Sequence, residues 1–452
     1  MSLQHNSTAL IPFLQRGTLP TSLALLLVVA GCSDENEPGA ETGGSNPSGA
    51  GDGDGDGDGD GDGDGDGDGD GDGDGDGDGD GDGDGDGDGD GDEGDCGEPS
   101  GVALGAITIS SELPRWKNNV DGVYTIFHDD TCWDHESSHF KVAAPALEAR
   151  GLVAAFGMVA AGCDGWDNVE GSVGEFVKGM WDQWEDVNSL GKAGHELVNH
   201  SFSHNPVDGS WGYDYDIDVE INGAADLLQA GTESPIEFYI FPTDLFEDIH
   251  IEVLRDLDYL GARAGVKGAI NSIDDFDAFA LNFDVHASPT GVGANPHQLV
   301  GLDAYVDEAI ADGGYAIREF HAVVATLSAE VDSSTWQILT DEYEDHLDYV
   351  EEKVSEGKLW VTGPSTVIRY RKSTEVCPLP TFENGTLRFA DPSEECLRYG
   401  TDLSYLIETD GDYSLLGGSQ DGSCLDVVKA DSKSFYVNVD PSRGDAKLWG
   451  IE

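Results

Sequence analysis

Short apolar runs alternate with longer segments of helical periodicity through the middle of the chain. Runs of β-branched and aromatic residues, such as 123–127 and 315–320, predict buried strands. Between such runs the apolar residues recur every three or four positions, as they do in 216–230, and this spacing predicts helices. The predicted strands are 123–127, 152–160, 196–199, 236–241, 259–263, 315–320 and 358–362, and the predicted helices are 141–150, 173–193, 216–230, 245–257, 300–311 and 335–354. This alternation predicts an α/β fold of parallel strands covered by helices, closed or nearly closed as a barrel.

The pattern changes after Lys372. Short alternating runs at 387–389, 396–399, 405–408 and 434–439 are divided by Gly, Asp and Pro, which predicts a small β-rich domain. A chain of 452 residues is also too long for one ordinary core. The predicted segments are a signal peptide at 1–31, a tether at 32–95, a (β/α) barrel at 96–372 and a β-rich domain at 373–452.

The N-terminus carries the marks of export. Residues 23–30 form an apolar stretch of the length of a secretory h-region, too short to cross a bilayer as a mature helix. The stretch runs into Val29-Ala30-Gly31-Cys32, which resembles a bacterial lipobox, so Cys32 is the expected lipidation site. Ser33 then favours the outer membrane or cell surface over the inner membrane. The alternative is an ordinary signal peptide with a chance cysteine.

A Gly-Asp repeat from Gly51 to Asp92 separates this N-terminus from the rest of the chain. With no apolar side chain to bury it predicts a solvated tether, with a root-mean-square span of roughly 35–40 Å as a flexible coil. A calcium-binding β-roll would need a hydrophobic residue in each turn, which the repeat lacks. The repeat carries −21 of the formal net charge of −69, which leaves −48 elsewhere. So acidic a chain is not expected to bind nucleic acid, whose phosphates it would repel.

Six cysteines follow Cys32: Cys96, Cys132, Cys163, Cys377, Cys396 and Cys424. An even number in an exported chain predicts up to three disulfides, but six cysteines allow 15 pairings. The preferred pairs are Cys132–Cys163, because these residues would follow adjacent strands, and Cys396–Cys424, because both lie in the small C-terminal domain.

Candidate chemistry collects at the ends of predicted strands. His200 and His204 stand four residues apart, a spacing that on a helical turn would put both imidazoles on one face, close enough to share a metal ion. Asp129 and Asp130 follow the strand at 123–127, so one carboxylate could bind a metal while the other acts as a base. Pro242 and His321 also end predicted strands. In barrels of parallel strands the chemistry lies at the carboxyl ends of the strands, which predicts one common site.

Two of these segments resemble a known family. Phe127-His128-Asp129-Asp130 and the run 194–204 are similar to the first two motifs of the polysaccharide deacetylases, carbohydrate esterase family four, and the resemblance covers about residues 120 to 370. It implies that Asp130, His200 and His204 bind a divalent metal, usually zinc, and that Asp129 is the general base. His321 resembles the final-motif histidine that acts as general acid, and Phe241-Pro242 resembles the third motif.

The third motif departs from the family pattern. Many members carry an arginine there that steadies the base, whereas this chain reads 238–242 as Phe-Tyr-Ile-Phe-Pro. Arg263, at a later strand end, is the candidate replacement, and the backbone N–H of Thr243 is the candidate donor to an oxyanion. Substrate-contacting positions are expected at Trp133, Trp166, Trp211 and Pro242, with Tyr213 and Tyr215 nearby. Without a replacement arginine the domain would be a catalytically weak or inactive glycan-binding module.

A rival motif lies at His135-Glu136-Ser137-Ser138-His139, which spells the H-E-x-x-H of zinc metalloproteases. Such a helix needs apolar residues at the flanking positions, whereas here two serines lie inside the motif and only Phe140 follows it. The expected function is therefore that of an exported, lipid-anchored, metal-dependent hydrolase of non-peptide carbon–nitrogen bonds, which removes acetyl groups from N- or O-acetylated polysaccharide. Chitin-like polymers, peptidoglycan and acetylated xylan stay open as substrates.

Overall fold

A ten-residue strand, β2, runs through the centre of the molecule. The computed structural model describes residues 101–133, 138–165, 184–209, 215–287, 300–327 and 336–452. β2 spans Gly122–Thr131, and all ten residues are buried. The other strands of its sheet are β3 (Ala155–Met158), β4 (Glu196–Asn199), β5 (Phe238–Ile240), β6 (Gly261–Arg263), β7 (Asp284–Val285), β8 (Tyr315–Phe320) and β11 (Leu359–Val361).

These strands form a curled parallel sheet in the order β6-β5-β4-β3-β2-β8-β7, and β11 pairs with the first residues of β2. The two ends of the sheet meet through the segment 278–283. The Ala262 N–H donates to the Ala278 carbonyl at 2.9 Å, and the Gly265 N–H donates to the Leu281 carbonyl at 3.0 Å. The predicted (β/α) barrel is confirmed. Its strand ends therefore converge on one rim.

Helices cover the outside of the barrel. They span Ala144–Glu148, Ala160–Cys163, Trp184–Lys192, Ala224–Gly231, Asp248–Asp256, Leu302–Asp312, Thr340–Ser355 and Pro364–Val376. Single turns of π-helix, His139–Ala143 and Asp218–Gly223, precede the first and fourth of these. The predicted strand 152–160 is too long at its end, because Ala160 already begins a helix. Part of the predicted helix 173–193 lies outside the described residues.

Alternate residues of β2 divide the apolar core into two layers. Val123 and Phe127 pack with Phe238 and Ile317 in one layer. Tyr124 and Ile126 belong to the other, which includes apolar residues of the surrounding helices. This alternation follows from the two-residue period of a strand, and it aims Asp129, two positions beyond Phe127, to the same side as Phe127.

The C-terminal part consists of two antiparallel sheets. One has the order β1-β14-β18-β17, with β1 at Ile107–Ile109, β14 at Leu403–Thr409, β17 at Val427–Lys429 and β18 at Ser434–Val439. The other has the order β12-β13-β19-β15-β16, with strands at Thr381–Glu383, Thr386–Arg388, Ala446–Ile451, Leu415–Gln420 and Ser423–Cys424. A two-stranded pair outside both domains' main sheets joins β9 (Val323–Val324) and β10 (Ile338–Leu339).

Two predictions need correction here. The residues 107–109 were expected in the barrel segment 96–372, but β1 pairs with β14, with Ile107 opposite Thr409. The run 396–399 was expected as a strand, but it lies in the helix Glu394–Tyr399, which the Ser393 hydroxyl begins by accepting the Cys396 N–H at 3.1 Å. A serine at this N-cap outweighs the short alternating pattern.

Two disulfides lie wholly within the described residues. Cys132 bonds to Cys163, as predicted, with Cα atoms 5.0 Å apart. Cys396 bonds to Cys377, with Cα atoms 4.9 Å apart, so the predicted Cys396–Cys424 pair is wrong. The physical reason is that the helix Glu394–Tyr399 packs against the end of Pro364–Val376, directly before Cys377. Cys424 is also disulfide-bonded.

The N-terminal predictions concern residues that the structure does not describe. The signal peptide, the lipidated Cys32 and the Gly-Asp tether all fall within 1–100. Among the described residues, no helix has the length and apolar character needed to cross a bilayer.

Candidate active site

Two adjacent carboxylates, Asp129 and Asp130, lie at the carboxyl end of β2. The register between β2 and β3 shifts between His128 and Thr131, and Asp130 has a φ of 65°, in the left-handed region. Successive side chains of a regular strand point to opposite faces. At this break in regular pairing the strand bends, so both carboxylates can face one site. Two adjacent carboxylates could not act together on a regular strand.

His200 and His204 reach Asp130 from the loop after β4. Their Nε2 atoms lie 3.2 Å and 3.0 Å from Asp130 Oδ1. The loop is not helical, since Ser201 and His204 have φ values of 71° and 60°. The expectation of a helical turn is therefore wrong, although the two imidazoles do converge, with ring centroids 4.7 Å apart.

A set of buried polar contacts holds this loop. The Ser201 N–H donates to Asn199 Oδ1 at 2.8 Å, and the His204 N–H donates to Ser201 Oγ at 2.9 Å. Glu220, 2% exposed, accepts the Ser203 N–H at 2.9 Å and also the Ser203 hydroxyl. Burial raises the pKa of Glu220 against the lowering effect of these bonds. Sequence reasoning missed Glu220; its one signal was an acidic residue directly before the apolar Ile221.

The donor atoms of Asp130, His200 and His204 all lie within 4.8 Å of one another. His200 Nδ1 lies 3.1 Å from the Ile240 carbonyl, which can only accept, so Nδ1 carries the hydrogen in the neutral ring. The Nε2 lone pair then faces a carboxylate oxygen, an arrangement that a shared cation stabilises. Burial would raise the pKa of Asp130, but His204 and His200 hold it well below its usual range. Two imidazoles and one carboxylate fit a divalent metal with open positions.

Arg263, at the end of β6, holds the second carboxylate. Its Nη1 donates to Asp129 Oδ1 at 2.9 Å and its Nη2 to Oδ2 at 2.6 Å. Nη2 also lies 3.0 Å from carboxylate oxygens of Asp244 and Glu319. Burial would raise the pKa of Asp129, but Arg263 and His200 bring it below its usual value. Arg263 thus contacts Asp129 in a chain whose third motif has no arginine. It is the register partner of Ile240 on β5.

His321 lies directly after β8 and also approaches Asp130. Its Nε2 is 3.6 Å from Asp130 Oδ2 and 3.7 Å from Glu319 Oε1. Burial lowers the pKa of His321, against the opposing effects of Asp130 and Asp129. Its ring centroid is 5.4 Å from that of Trp336. The structure therefore brings Asp129, Asp130 and His321 together although the third is about 190 residues further along the chain.

Pro242 and Thr243 follow β5 at the same rim. Pro242 is buried, whereas Thr243 is exposed and has a φ of 58°. The next residue, Asp244, contacts Arg263, the partner of Asp129, which places this turn close to Asp129. The Thr243 N–H therefore stays a candidate donor, and its role is a proposal.

The aromatic residues predicted to lie near the substrate differ in where the structure places them. The Trp133 ring stacks on His204 with centroids 4.2 Å apart and planes at 20°. Tyr215 packs edge-on against His250, with centroids 5.3 Å apart. Trp166, Trp211 and Tyr213 lie outside the described residues. Of the predicted aromatic contacts, the structure thus places Trp133 at the site.

The rival H-E-x-x-H motif contributes a buried histidine in place of a metal ligand. His139 is 0% exposed, and its ring nitrogens bond to Thr131 Oγ1 and to the His321 carbonyl. His135 and Glu136 lie outside the described residues. His195, read as structural, is buried and accepts the Ala154 N–H at 3.1 Å through Nδ1.

A comparison with family models decides the assignment, since residues 117–262 match the model described as polysaccharide deacetylase. The chain contains a polysaccharide deacetylase domain. The family that this segment matches consists of hydrolases that act on carbon–nitrogen bonds outside peptides. The match includes Asp129, Asp130, His200 and His204 and ends one residue before Arg263.

Several solved structures resemble the chain weakly, and their names refer to deacetylases or to carbohydrate esterase family 4. The peptidoglycan deacetylase PdaC from Bacillus subtilis is 14% identical, and the alignment covers 57% of this chain and 97% of that chain at a TM-score of 0.34. A family 4 carbohydrate esterase from Streptomyces lividans is 12% identical, with coverage of 55% and 96% and a TM-score of 0.32. A CE4 family pseudoenzyme from Bacillus anthracis is 12% identical, with coverage of 53% and 67% and a TM-score of 0.31. No curated protein matches the chain.

Proposed function

We propose that this chain removes acetyl groups from N- or O-acetylated polysaccharide, with a divalent metal, zinc, held by Asp130, His200 and His204. One observation carries the proposal. The donor set of Asp130, His200 and His204 has two polar neighbours. One is the carboxylate of Asp129, which Arg263 holds, and the other is the imidazole of His321. A general base, a metal-binding set and a general acid are the parts that metal-assisted acyl transfer to water requires.

A bound zinc ion would polarise the acetyl carbonyl and lower the pKa of water. Asp129 is the proposed general base, because its Oδ2 lies 3.9 Å from His200 Nε2 and so borders the metal-binding set. Arg263 occupies both carboxylate oxygens in one plane, which orients the base and keeps it ionised. A carboxylate with a depressed pKa is a ready acceptor but a modest base, so its position matters more than its basicity.

His321 is the proposed general acid. Its Nε2 lies 3.6 Å from Asp130 Oδ2, beside the donor set, where it can give a proton to the departing amine or alcohol. The N–H of Thr243 is the proposed donor to the tetrahedral oxyanion, since Thr243 lies in the left-handed turn beside Arg263. Trp133 and Pro242 would contact the sugar at the same rim.

The proposed location is the cell surface. A lipid on Cys32 would anchor the chain in the outer membrane, and the Gly-Asp tether would hold the catalytic domain away from it. The tether would let the anchored domain reach the polymer itself, so the polymer would not have to arrive as freely diffusing fragments.

The test combines metal content with acetate release. Purified protein is loaded with zinc and supplied with chitin oligosaccharides, peptidoglycan and acetylated xylan. We expect about one zinc ion per chain and acetate release from at least one of these, and we expect His200→Ala and His204→Ala to lose both. His250→Ala, on a helix outside the donor set, is the matched control.

Two outcomes contradict the proposal. Zinc binding with no turnover of any acetylated substrate would favour the glycan-binding alternative. Zinc loss from His139→Ala with retention in His200→Ala would move the metal to the rival motif.

A further inference from the structure

We propose that His139 is a positioning residue that fixes the backbone of His321 to the strand end carrying Asp129 and Asp130. This inference rests on the proposed function, because it gives His321 the role of general acid. His139 ends the motif that spells a metalloprotease, and the deacetylase chemistry leaves it without a role.

Two hydrogen bonds define the bridge. His139 Nδ1 lies 2.9 Å from Thr131 Oγ1, and His139 Nε2 lies 3.2 Å from the His321 carbonyl oxygen. A carbonyl can only accept, so Nε2 carries the hydrogen, and the Thr131 hydroxyl then donates to Nδ1. One neutral tautomer satisfies both partners. Burial lowers the pKa of His139 to about 4, in agreement with a neutral ring.

The bridge begins where the sheet stops holding these segments together. Backbone pairing between β2 and β8 runs from Val123 with Tyr315 to His128 with Phe320. Beyond that pair the chain of β2 turns at Asp130, and His321 leaves β8. Beside the proposed active site, the hydrogen bonds of His139 therefore replace the backbone pairing between β2 and β8.

A second imidazole approaches the same carbonyl. His128 Nδ1 lies 3.5 Å from the His321 oxygen, and His128 Nε2 lies 2.8 Å from the Tyr343 hydroxyl. The His128 and His139 rings have centroids 5.0 Å apart. Of the two contacts with the carbonyl, that of His139 is the shorter, so His139 is the residue to test.

The consequence is specific to the acid. Displacement of a reacting group by about 1 Å can cost on the order of 100-fold in rate. The bridge joins His139 to the His321 carbonyl and to Thr131, so its loss acts first on the position of His321. Reactions that need leaving-group protonation should therefore suffer, whereas metal binding should not.

The experiment compares two substrates on four zinc-loaded proteins: wild type, His139→Leu, His139→Gln and His195→Leu. An N-acetylated glycan needs a proton on its leaving amine, whereas p-nitrophenyl acetate does not. We expect His139→Leu to lower kcat for the glycan by about 10- to 100-fold with KM and zinc content unchanged, and to leave p-nitrophenyl acetate within a few-fold. His139→Gln, whose amide N–H replaces the Nε2 donor, should restore most of the glycan rate.

His195→Leu is the matched control, since it removes a buried, hydrogen-bonded histidine at the opposite end of β4. It should lower the melting temperature and leave the ratio of the two rates unchanged. An equal loss on both substrates in His139→Leu, or the same altered ratio in His195→Leu, would overturn the proposal.

A second readout does not depend on activity. The ring resonances of His321, followed by long-range ¹H–¹⁵N NMR, should move in His139→Leu, return in His139→Gln and stay in place in His195→Leu. Unmoved resonances in His139→Leu would refute the positioning role. Wild-type protein inactive on both substrates would instead refute the proposed function, and the NMR comparison would still decide the role of His139.

Discussion

Arg263→Lys should reduce kcat for acetate release by roughly 10- to 150-fold without loss of zinc. Arg263 is 1% exposed and donates to both oxygens of Asp129, at 2.9 Å and 2.6 Å. Lysine keeps the positive charge but presents a single ammonium, which cannot hold a carboxylate in one plane. Asp129 would stay ionised but lose its fixed orientation.

The magnitude follows from the geometry. A hydrogen bond to a charged group contributes about 1.5–3 kcal/mol, and each 1.36 kcal/mol lost from the transition state is about tenfold in rate. Losing one of the two bonds to Asp129 therefore gives the stated range. Arg263→Gln removes the charge as well and leaves the carboxylates of Asp129, Asp244 and Glu319 without their shared cation. We expect that variant to lose about 3–5 kcal/mol of stability.

Removal of the positive charge of Arg263 should also shift the pH dependence of kcat in a predictable direction. Burial raises the pKa of Asp129 and Arg263 lowers it, with a net value below the usual one. In Arg263→Gln, burial still raises the pKa of Asp129, but the main group that lowers this pKa is absent. The acid limb of the kcat profile should therefore move to higher pH, because the base becomes protonated sooner as the pH falls.

Arg369→Lys is the matched control. Arg369 also grips a carboxylate with two nitrogens, that of Glu237, which directly precedes the first residue of β5 and lies at the opposite end of the barrel. Rates, zinc content and thermal denaturation are measured on both lysine variants. A wild-type rate in Arg263→Lys would refute the reasoning that Asp129 depends on its clamp. Equal rate losses in both variants would show a general effect on the fold.

Three further predictions concern the base, the acid and the anchor. Asp129→Asn should lower kcat by roughly 10²–10⁴-fold with zinc retained, whereas Asp130→Asn should lose zinc as well, as measured by metal analysis after full loading. Deacetylation of a glycan should fall as pH rises through the lowered pKa of His321, because the protonated acid is lost, and p-nitrophenyl acetate should not follow this limb. Cys32→Ala should leave the membrane fraction with full activity, and a variant that stays membrane-bound would contradict lipid anchoring.

The sequence predicted the barrel because its strands are short, apolar and separated by helical patterns. β4 and β8 agree with the predicted strands 196–199 and 315–320 to the residue. β2 begins near the prediction but continues through Thr131, so the two carboxylates belong to the strand itself. Several strand ends could be located closely from periodicity. Together with the resemblance to the family, this is why Asp129, Asp130, His200 and His321 could be assigned to one site.

Local conformation at the site could not be predicted. A spacing of four residues suits a helical turn, yet Ser201 and His204 adopt left-handed angles in a loop. That loop depends on Glu220, a buried carboxylate from another element, and no pattern within the loop itself announces such a partner. The pairing of Cys396 with Cys377 likewise depends on how two helices pack.

The position of Arg263 shows what strand order adds to a motif. The arginine that many family members carry in the third motif would lie on the strand 238–240 or just after it. In this chain β5 and β6 are adjacent and parallel, and Ile240 is the register partner of Arg263. The arginine therefore lies one strand away at the same level of the barrel, where it reaches an aspartate 134 positions earlier in the sequence. Because parallel strands end at a common rim, a side chain can move to the neighbouring strand and keep its partner. The linear third motif does not reveal Arg263, whereas the folded barrel brings this buried arginine into contact with Asp129, the proposed base.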